Sequence, residues 1–306
     1  PTINITCPYI YDWSYSLPEP TGKLVRHMNE ELFIYRTRHE ASQRLRESDI
    51  VYATGRPILV RLQTLTEAPF IHTVRGRVNP LYHRYLKQAD GLVFWGGCEQ
   101  EYDNKSIFSV PHRKIDPGTN PKLFHPRQLN PTIIPEYADN DRTVLIFSGR
   151  LEPIKRVENI IDAIACIEDT FDISLVILGD GSLRSELETR AESELDKTLV
   201  HFLGHVDHNK VPIHLNAADV FVMSSEIENH PIALKEALSC GTYVVAPSIG
   251  RIPDIVTKQS GYVYHENTVS GLKTTLRTVL NQDLHQQGSR RKRAEVVADW
   301  SDATAK

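Results

Sequence analysis

The chain has 306 residues, 40% of them hydrophobic and 24% charged, with a formal net charge of −4. That length allows one or two domains and a large buried core, and the near-neutral balance argues against a nucleic-acid partner. No run of about 18 apolar residues occurs, which excludes a membrane-spanning helix. The charge is uneven: residues 1–137 carry a net +3 and the remainder −7, so a basic first part could face an acidic acceptor or anionic lipid. Four scattered cysteines (Cys7, Cys98, Cys166, Cys240) have neither CxxC nor zinc spacing. Cys166 and Cys240 fall on predicted apolar faces, and all four read as reduced thiols of a cytoplasmic protein. The start, PTINITCPYIYDW, has no basic leader followed by an apolar stretch and predicts no signal peptide.

In chain order, strands and helices alternate, which predicts an α/β fold with parallel sheets covered on both faces. INITC (3–7), DIVYAT (49–54), PFIHTV (69–74) and GLVFW (91–95) read as strands, residues 24–46 as a long polar-faced helix, and 80–89 as a short helix. Residues 114–141 are rich in proline and asparagine, lack periodicity and read as the linker. TVLIF (143–147) opens a second alternating unit, and the apolar positions of VENIIDAIACI (157–167) recur at i, i+3, i+4 and i+7, as on a buried helix face. The predicted domains are residues 1–137, 138–284, and a final helix over 285–306. Arg290–Arg293 on that helix read as a solvated face or as a membrane-surface patch.

The most informative stretch is VFVMSSEIENHPIALKEALSCG (220–241). Val220–Met223 read as a buried strand, and Glu228 lies in the polar loop that follows. Pro231 suits the first helical position, Leu234, Ala237 and Leu238 form the helix's apolar face, and Gly241 can end it in a left-handed conformation. One carboxylate thus sits past a strand's carboxyl end and the other, Glu236, about a turn and a half into the helix. Between them lies a helix N-terminus, which favours phosphate. A ligand with hydroxyls at both ends and phosphate in the middle matches this layout, as a nucleotide-sugar does.

This stretch resembles the E-x7-E signature of the retaining group 1 (GT4) glycosyltransferases. Its companions, in order and spacing, are FSGRLEPIKRVENII (147–161), VILGDGSLRSEL (176–187), VHFLGHV (200–206), LNAADVFVMSSE (215–226), YVVAPSIGRIPDIV (243–256) and SGYVY (260–264). The match covers residues 143 to 306 and weakens before them. The resemblance implies a GT-B fold, two Rossmann-like domains facing across a cleft, the first short and acceptor-side and the second binding the donor. It also implies a retaining sugar transfer from a nucleotide diphosphate-sugar to a carbohydrate or lipid-linked acceptor, with no metal or other cofactor and with peripheral membrane contact open. Trp300-Ser301 resembles the family's terminal helix.

By the same resemblance Arg150 and Lys155, after a strand and before a helix, would neutralise the leaving diphosphate, with Gly149 beside them. Glu228 would contact the donor sugar, and Glu236 would grip both ribose hydroxyls. Asn229, His230, Pro231 and Ile232 fill the region of the helix start, where the family often has glycine after the first glutamate. His230 either contacts sugar or phosphate or caps the helix. His205 and Val206 would lie beside the base. Gly179-Asp180-Gly181 is either a tight turn near the base, through Gly181, or only a turn. Arg251 and Asp254 have family counterparts that are partly structural.

The first domain departs further from the family. Thr21-Gly22-Lys23 stands where a glycine pair is usual, so Gly22 is the candidate for meeting the donor phosphate. Arg75 stands where a histidine is frequent and would bind acceptor, donor or a structural carboxylate. His72 reads as a core histidine. Asp139-Asn140-Asp141 mimics a D-x-D metal signature, but in a linker, and is read as chance. No G-x-S-x-G elbow or G-x-G-x-x-G fingerprint occurs. Two alternatives to transfer stay open: a nucleotide-sugar epimerase or hydrolase of the same fold, and a non-catalytic nucleotide-sugar-binding subunit.

Overall fold

The structure is a computed structural model and describes residues 42–54 (without 44), 57–75, 83–96, 109–127, 137 and 142–282 (without 229). Strand 3–7, nearly all of helix 24–46, the 139–141 carboxylates and the terminal helix 285–306 lie outside the described residues. Two compact units divide the chain between Ile115 and Asp116.

In the first unit four parallel strands stand side by side in sequence order: β1 (Val51–Thr54), β2 (Phe70–Val74), β3 (Gly91–Trp95) and β4 (His112–Ile115). The first three are the strands expected there. β4 is additional, a polar HRKI segment that is mostly exposed, so it has no hydrophobic alternation to betray it. A 3₁₀ helix (Pro57–Leu65) and the short helix α1 (His83–Leu86) cover this sheet. Phe70, Val74, Leu86, Leu92 and Phe94 form its core. His72 is fully buried within β2, as a core histidine should be.

The second unit holds a six-stranded parallel sheet in the order β10-β9-β8-β5-β6-β7. Its strands are β5 (Thr143–Ser148), β6 (Ile173–Leu178), β7 (Leu199–Gly204), β8 (Val220–Val222), β9 (Tyr243–Pro247) and β10 (Gly261–Tyr264). The crossovers are α2 (Val157–Ala165), α3 (Arg184–Glu194), α4 (Val211–Ala217), α5 (Ile232–Ser239) and α6 (Ile252–Ile255), and α7 (Val269–Leu280) follows β10. Successive side chains on a strand point to opposite faces, and both faces are buried here. Leu145, Phe147, Leu175, Ile177 and Val222 pack with Ile160, Ile161, Ile164 and Leu276 on one side. Val144, Ile146, Val176, Phe221 and Val244 pack with Leu215, Leu234, Ala237 and Ile252 on the other. Near-continuous apolar strands are therefore what this sheet requires. Chain order reverses between β5 and β8, because β6 and β7 extend the sheet one way and β8 returns to β5's other edge. Open α/β sheets bind ligands at such a switch, outside the carboxyl ends of the strands.

Part of the stretch read as linker is packed into this second unit. Phe124 is buried in its core, Thr119 Oγ1 lies 2.6 Å from Ser239 Oγ, and Asn216 bonds both Arg127 N (2.8 Å) and His125 O (3.2 Å). Side-chain anchors of this kind leave no periodicity, so proline and asparagine content alone could not reveal them. Lys235 on α5 is buried and donates its Nζ proton to Pro117 O. Cys240 is buried, but Cys166 lies exposed at the C-cap of α2, between the buried Ile164 and Ile167. Gly241 takes φ 75° after α5, and its N–H bonds Leu238 O at 2.8 Å, the expected left-handed stop. Among the described residues no helix is long and apolar enough to cross a membrane.

Burial pushes the Lys235 ammonium down to about 8; Asp116 opposes the shift and Arg251 adds to it. Between about pH 8 and the ordinary lysine value the unfolded chain holds this proton more tightly, so its contribution to stability rises with pH through that window. Urea unfolding of the parent and of Lys235→Met should show the parent gaining on the order of 1–3 kcal/mol over the variant from pH 7.5 to 10. A difference that stays flat would contradict the buried ammonium.

Candidate functional site

Two loops leave the sheet on either side of its switch point. After β5 the chain runs through Gly149, Arg150 and a 3₁₀ turn (Pro153–Lys155) into α2. Arg156 closes that turn at φ 49°, the only non-glycine residue with positive φ among the described residues. Such backbone costs energy and persists only when its surroundings fix it. They do: Ser224 Oγ, just past β8, reaches both Lys155 O (3.0 Å) and Arg156 O (2.7 Å), and Glu226 N bonds Ile154 O at 2.8 Å. Arg156 also pairs with Glu226 at 2.9 Å. The result is to bring Lys155 Nζ onto Glu228 Oε1, an ion pair mostly shielded from solvent that spans the switch, with Ser225 Oγ 3.2 Å from the same carboxylate oxygen.

A neighbouring open pocket of about 280 Å³ is lined by Gly149, Arg150, Gly179, Asp180, His205 and Val206, among others. Its floor depends on two glycines. Gly179 adopts φ 137°, and a Cβ there would come within 1.8 Å of Gly149 O. A Cβ on Gly181 would meet Leu151 O at 2.4 Å. The β5 and β6 loops are zipped together by Gly149 N to Leu178 O (3.0 Å), Leu151 N to Asp180 O (2.9 Å) and Leu183 N to Leu151 O (3.0 Å). Gly181 therefore packs against the neighbouring loop, while Gly179 and Asp180 face the pocket.

On the other side, α5 begins at Ile232, and Pro231 is its N-cap residue, one position earlier in the helix frame than expected. Proline carries no side-chain acceptor, so the first N–H groups of α5 have no capping side chain at that residue. His230 and Ile232 flank it, both half-buried. Glu236 is not an exposed helix acid: its side chain is 11% exposed, and its Oε1 lies 2.7 Å from His208 Nε2. Burial pushes the Glu236 carboxyl above the usual carboxylate range, and the His208 hydrogen bond and charge pull it back. The buried carboxylate thus keeps a need for hydrogen-bond donors.

The sequence candidates fall into three groups: Gly149, Arg150, His205 and Val206 at the pocket, Lys155 with Glu228 across the switch, and Glu236 on α5. Gly22 and Asn229 lie outside the described residues. Arg75 belongs to the first unit, exposed at the carboxyl end of β2, its guanidinium 5.4 Å from the Trp95 ring centre. Arg251 and Asp254 pair at 2.7 Å. Arg156, Ser224, Glu226 and His208 are additional to the sequence reading. Their contacts join residues far apart in the chain, 69 positions for Ser224 to Lys155 and 28 for His208 to Glu236, so no local pattern marks them. Among the described residues no group of three or more His, Cys, Asp or Glu side chains could hold a metal ion.

The family described as "Glycosyl transferases group 1" matches residues 131–296. A GDP-mannose-dependent alpha-(1-6)-phosphatidylinositol dimannoside mannosyltransferase of Mycobacterium tuberculosis is 31% identical over 213 residues, 69% of this chain and 54% of the relative. An N-acetyl-alpha-D-glucosaminyl L-malate synthase of Bacillus anthracis is 26% identical over 159 residues, 51% of this chain and 41% of the relative. The chain spans about half the length of the curated relatives it matches. Among solved structures, a sucrose-phosphate synthase from Thermosynechococcus elongatus superimposes with a TM-score of 0.71 at 18% identity, over 91% of this chain and 76% of that one. The Anabaena protein HepE, in complex with UDP and glucose, gives 0.68 at 16% identity, over 87% and 78%. At these identities the structural likeness speaks for the fold alone.

Proposed function

The chain belongs to the group 1 glycosyl transferases and has their GT-B fold of Rossmann-like units, and on that premise we propose that it moves a sugar from a nucleotide diphosphate-sugar to an acceptor hydroxyl with retention of anomeric configuration. The observation that carries the proposal is the Lys155–Glu228 pair held across the sheet's switch point, with Arg150 on one side and the buried Glu236 on the other. A cation, a sugar-reaching carboxylate and a diol-reaching carboxylate are the three complements that a nucleotide-sugar requires.

In this reading the diphosphate lies between Arg150, Lys155 and the start of α5, where the positive helix end and the uncapped N–H groups attract it. Arrival of the phosphates draws the Lys155 ammonium off Glu228 and frees that carboxylate for hydroxyls of the sugar. Glu236 accepts from both ribose hydroxyls, and the pocket beside Gly149, His205 and Val206 takes the base. The bond from the anomeric carbon to the diphosphate oxygen breaks, the acceptor oxygen bonds to that carbon on the same face, and the departing phosphate takes the acceptor's proton. Arg150 and Lys155 stabilise the charge that develops on the leaving group, and this is the principal catalytic contribution. Glu228 holds the sugar in register. These two cations meet the diphosphate's charge, so transfer needs no metal.

The mannosyltransferase relative is named for GDP-mannose and phosphatidylinositol dimannoside, and the Anabaena protein was solved in complex with UDP and with UDP-glucose. Relatives with different nucleotides leave the base open, and the acceptor is a carbohydrate or a lipid-linked one reached from the membrane surface.

Turnover in EDTA should match turnover in buffer, and the product's anomeric coupling by NMR should be that of the donor. Arg150→Ala should lower the rate about ten- to a thousand-fold, the scale of losing one preorganised donor. An inverted product, or activity that vanishes in EDTA and returns with manganese, would contradict the mechanism. The two glutamates should separate by assay. Glu236→Ala should weaken binding of the free nucleoside diphosphate by about 1–3 kcal/mol, whereas Glu228→Ala, which releases Lys155 to the phosphates, should not weaken that binding and should reduce transfer sharply. Equal losses of nucleotide affinity in both variants would overturn the division of roles.

A further inference from the structure

Glu236 does not stand alone. His208, four residues beyond the end of β7, lies in the loop before α4, and its Nε2 is 2.7 Å from Glu236 Oε1. Its ring rests on Phe124, with centres 5.0 Å apart and planes at 54°, and Phe124 is itself fixed in the core. The imidazole is 65% exposed while the carboxylate beneath it is nearly covered. This is a rigid aromatic floor, a ring held on it, and a buried acid oriented by the ring.

The other ionisable groups on the packed elements are engaged elsewhere or exposed. Lys235 donates to Pro117 O, and Asp207 pairs with Lys210 at 3.6 Å. His125 Nδ1 lies 3.0 Å from Pro121 O, His214 meets the Tyr137 hydroxyl, and Lys122 and His205 are exposed. His208 is thus the neighbour that opposes the cost of burying the Glu236 charge.

We propose that His208 is a positioning residue for the nucleoside ribose: by donating its Nε2 proton to Glu236 Oε1 it holds the carboxylate aimed at the ribose hydroxyls, so that the site prefers ribonucleotides over 2′-deoxyribonucleotides. The inference rests on the reading of Glu236 as the ribose ligand. A carboxylate accepts through both oxygens, whereas a carboxyl group spends one oxygen holding its proton and can no longer receive two hydroxyl donors equally. With His208 removed, Glu236 would take up a proton or turn aside, and the loss would fall on the ligand that carries both hydroxyls.

The test uses the full chain with UDP, GDP and ADP and their 2′-deoxy forms, read by titration calorimetry. The parent should favour the ribo form of the best-binding base by about tenfold or more, one charge-assisted hydrogen bond's worth. His208→Ala should weaken the ribo form by about tenfold, leave the deoxy form within about twofold, and so nearly erase the preference. His208→Gln, which keeps an N–H donor, should restore most of it. In transfer assays at pH 7 the change should appear in KM far more than in kcat. An unchanged ribo preference in His208→Ala, where Glu236→Ala abolishes it, overturns the role of His208 alone. A preference that survives Glu236→Ala, or no binding by any of the three diphosphates, overturns the reading of Glu236 and this inference with it.

Discussion

One buried hydroxyl holds the site together. Ser224 Oγ shares its proton between the carbonyls of Lys155 and Arg156, and so clamps the loop after β5 to the loop after β8. Those two strands are neighbours where the chain order of the sheet reverses, and loops at such a reversal otherwise splay to leave a crevice. The clamp keeps the crevice but fixes its rim. It sustains the left-handed Arg156, which turns the chain sharply between the 3₁₀ turn and α2, and it sets Lys155 against Glu228. The hydroxyl is fully buried, and replacing it would take from the Lys155 carbonyl the donor it has here, while Arg156 O keeps Asn159 N at 3.0 Å; a carbonyl left unpaired costs more than the net value of the bond itself.

Arg150 stands exposed, but three other charges of the site have partners before any ligand arrives. Lys155 has Glu228, Glu236 has His208 and Arg156 has Glu226. A buried charge without a partner would cost more than a small domain can spare, so a site built to receive a charged ligand must either expose its charges or pair them provisionally. The proposed donor exchanges these pairs for its own phosphates and hydroxyls. Affinity is then a difference between two sets of ionic contacts, which favours discrimination over raw strength.

Much of this was legible in the sequence. Apolar β-branched runs spaced by helical periods foretold a parallel α/β unit, and β5, β6, β8 and β9 are buried on both faces as such runs demand. Glu228 and Glu236 were visible because their spacing straddles a strand end and a helix start. Features that depend on contacts distant in sequence were not legible. β4 is polar and edge-like, so no period marks it. The segment 116–127 reads as a linker because its anchors, Phe124, Thr119 and Asn216's bonds to it, are single side chains with no repeating pattern. Lys235 reads as a surface cation beside an acid until Pro117 is seen above it. His208 and Glu236 are 28 residues apart, joined only by the fold, and Arg156's backbone carries no residue-type signal at all.

The carboxyl edge of the second unit's sheet, at the β5–β8 reversal, is the proposed nucleotide-sugar site. Thermal unfolding across a panel of nucleoside diphosphates and their sugars tests it most directly, because a ligand that binds only the folded chain stabilises it by mass action, by about 2.7 kcal/mol at a hundred times Kd. At least one nucleoside diphosphate-sugar should raise the melting temperature progressively with concentration, and Ser224→Ala, folded but unclamped, should blunt the rise. A panel that leaves the folded chain's melting temperature unmoved at millimolar concentrations would contradict it.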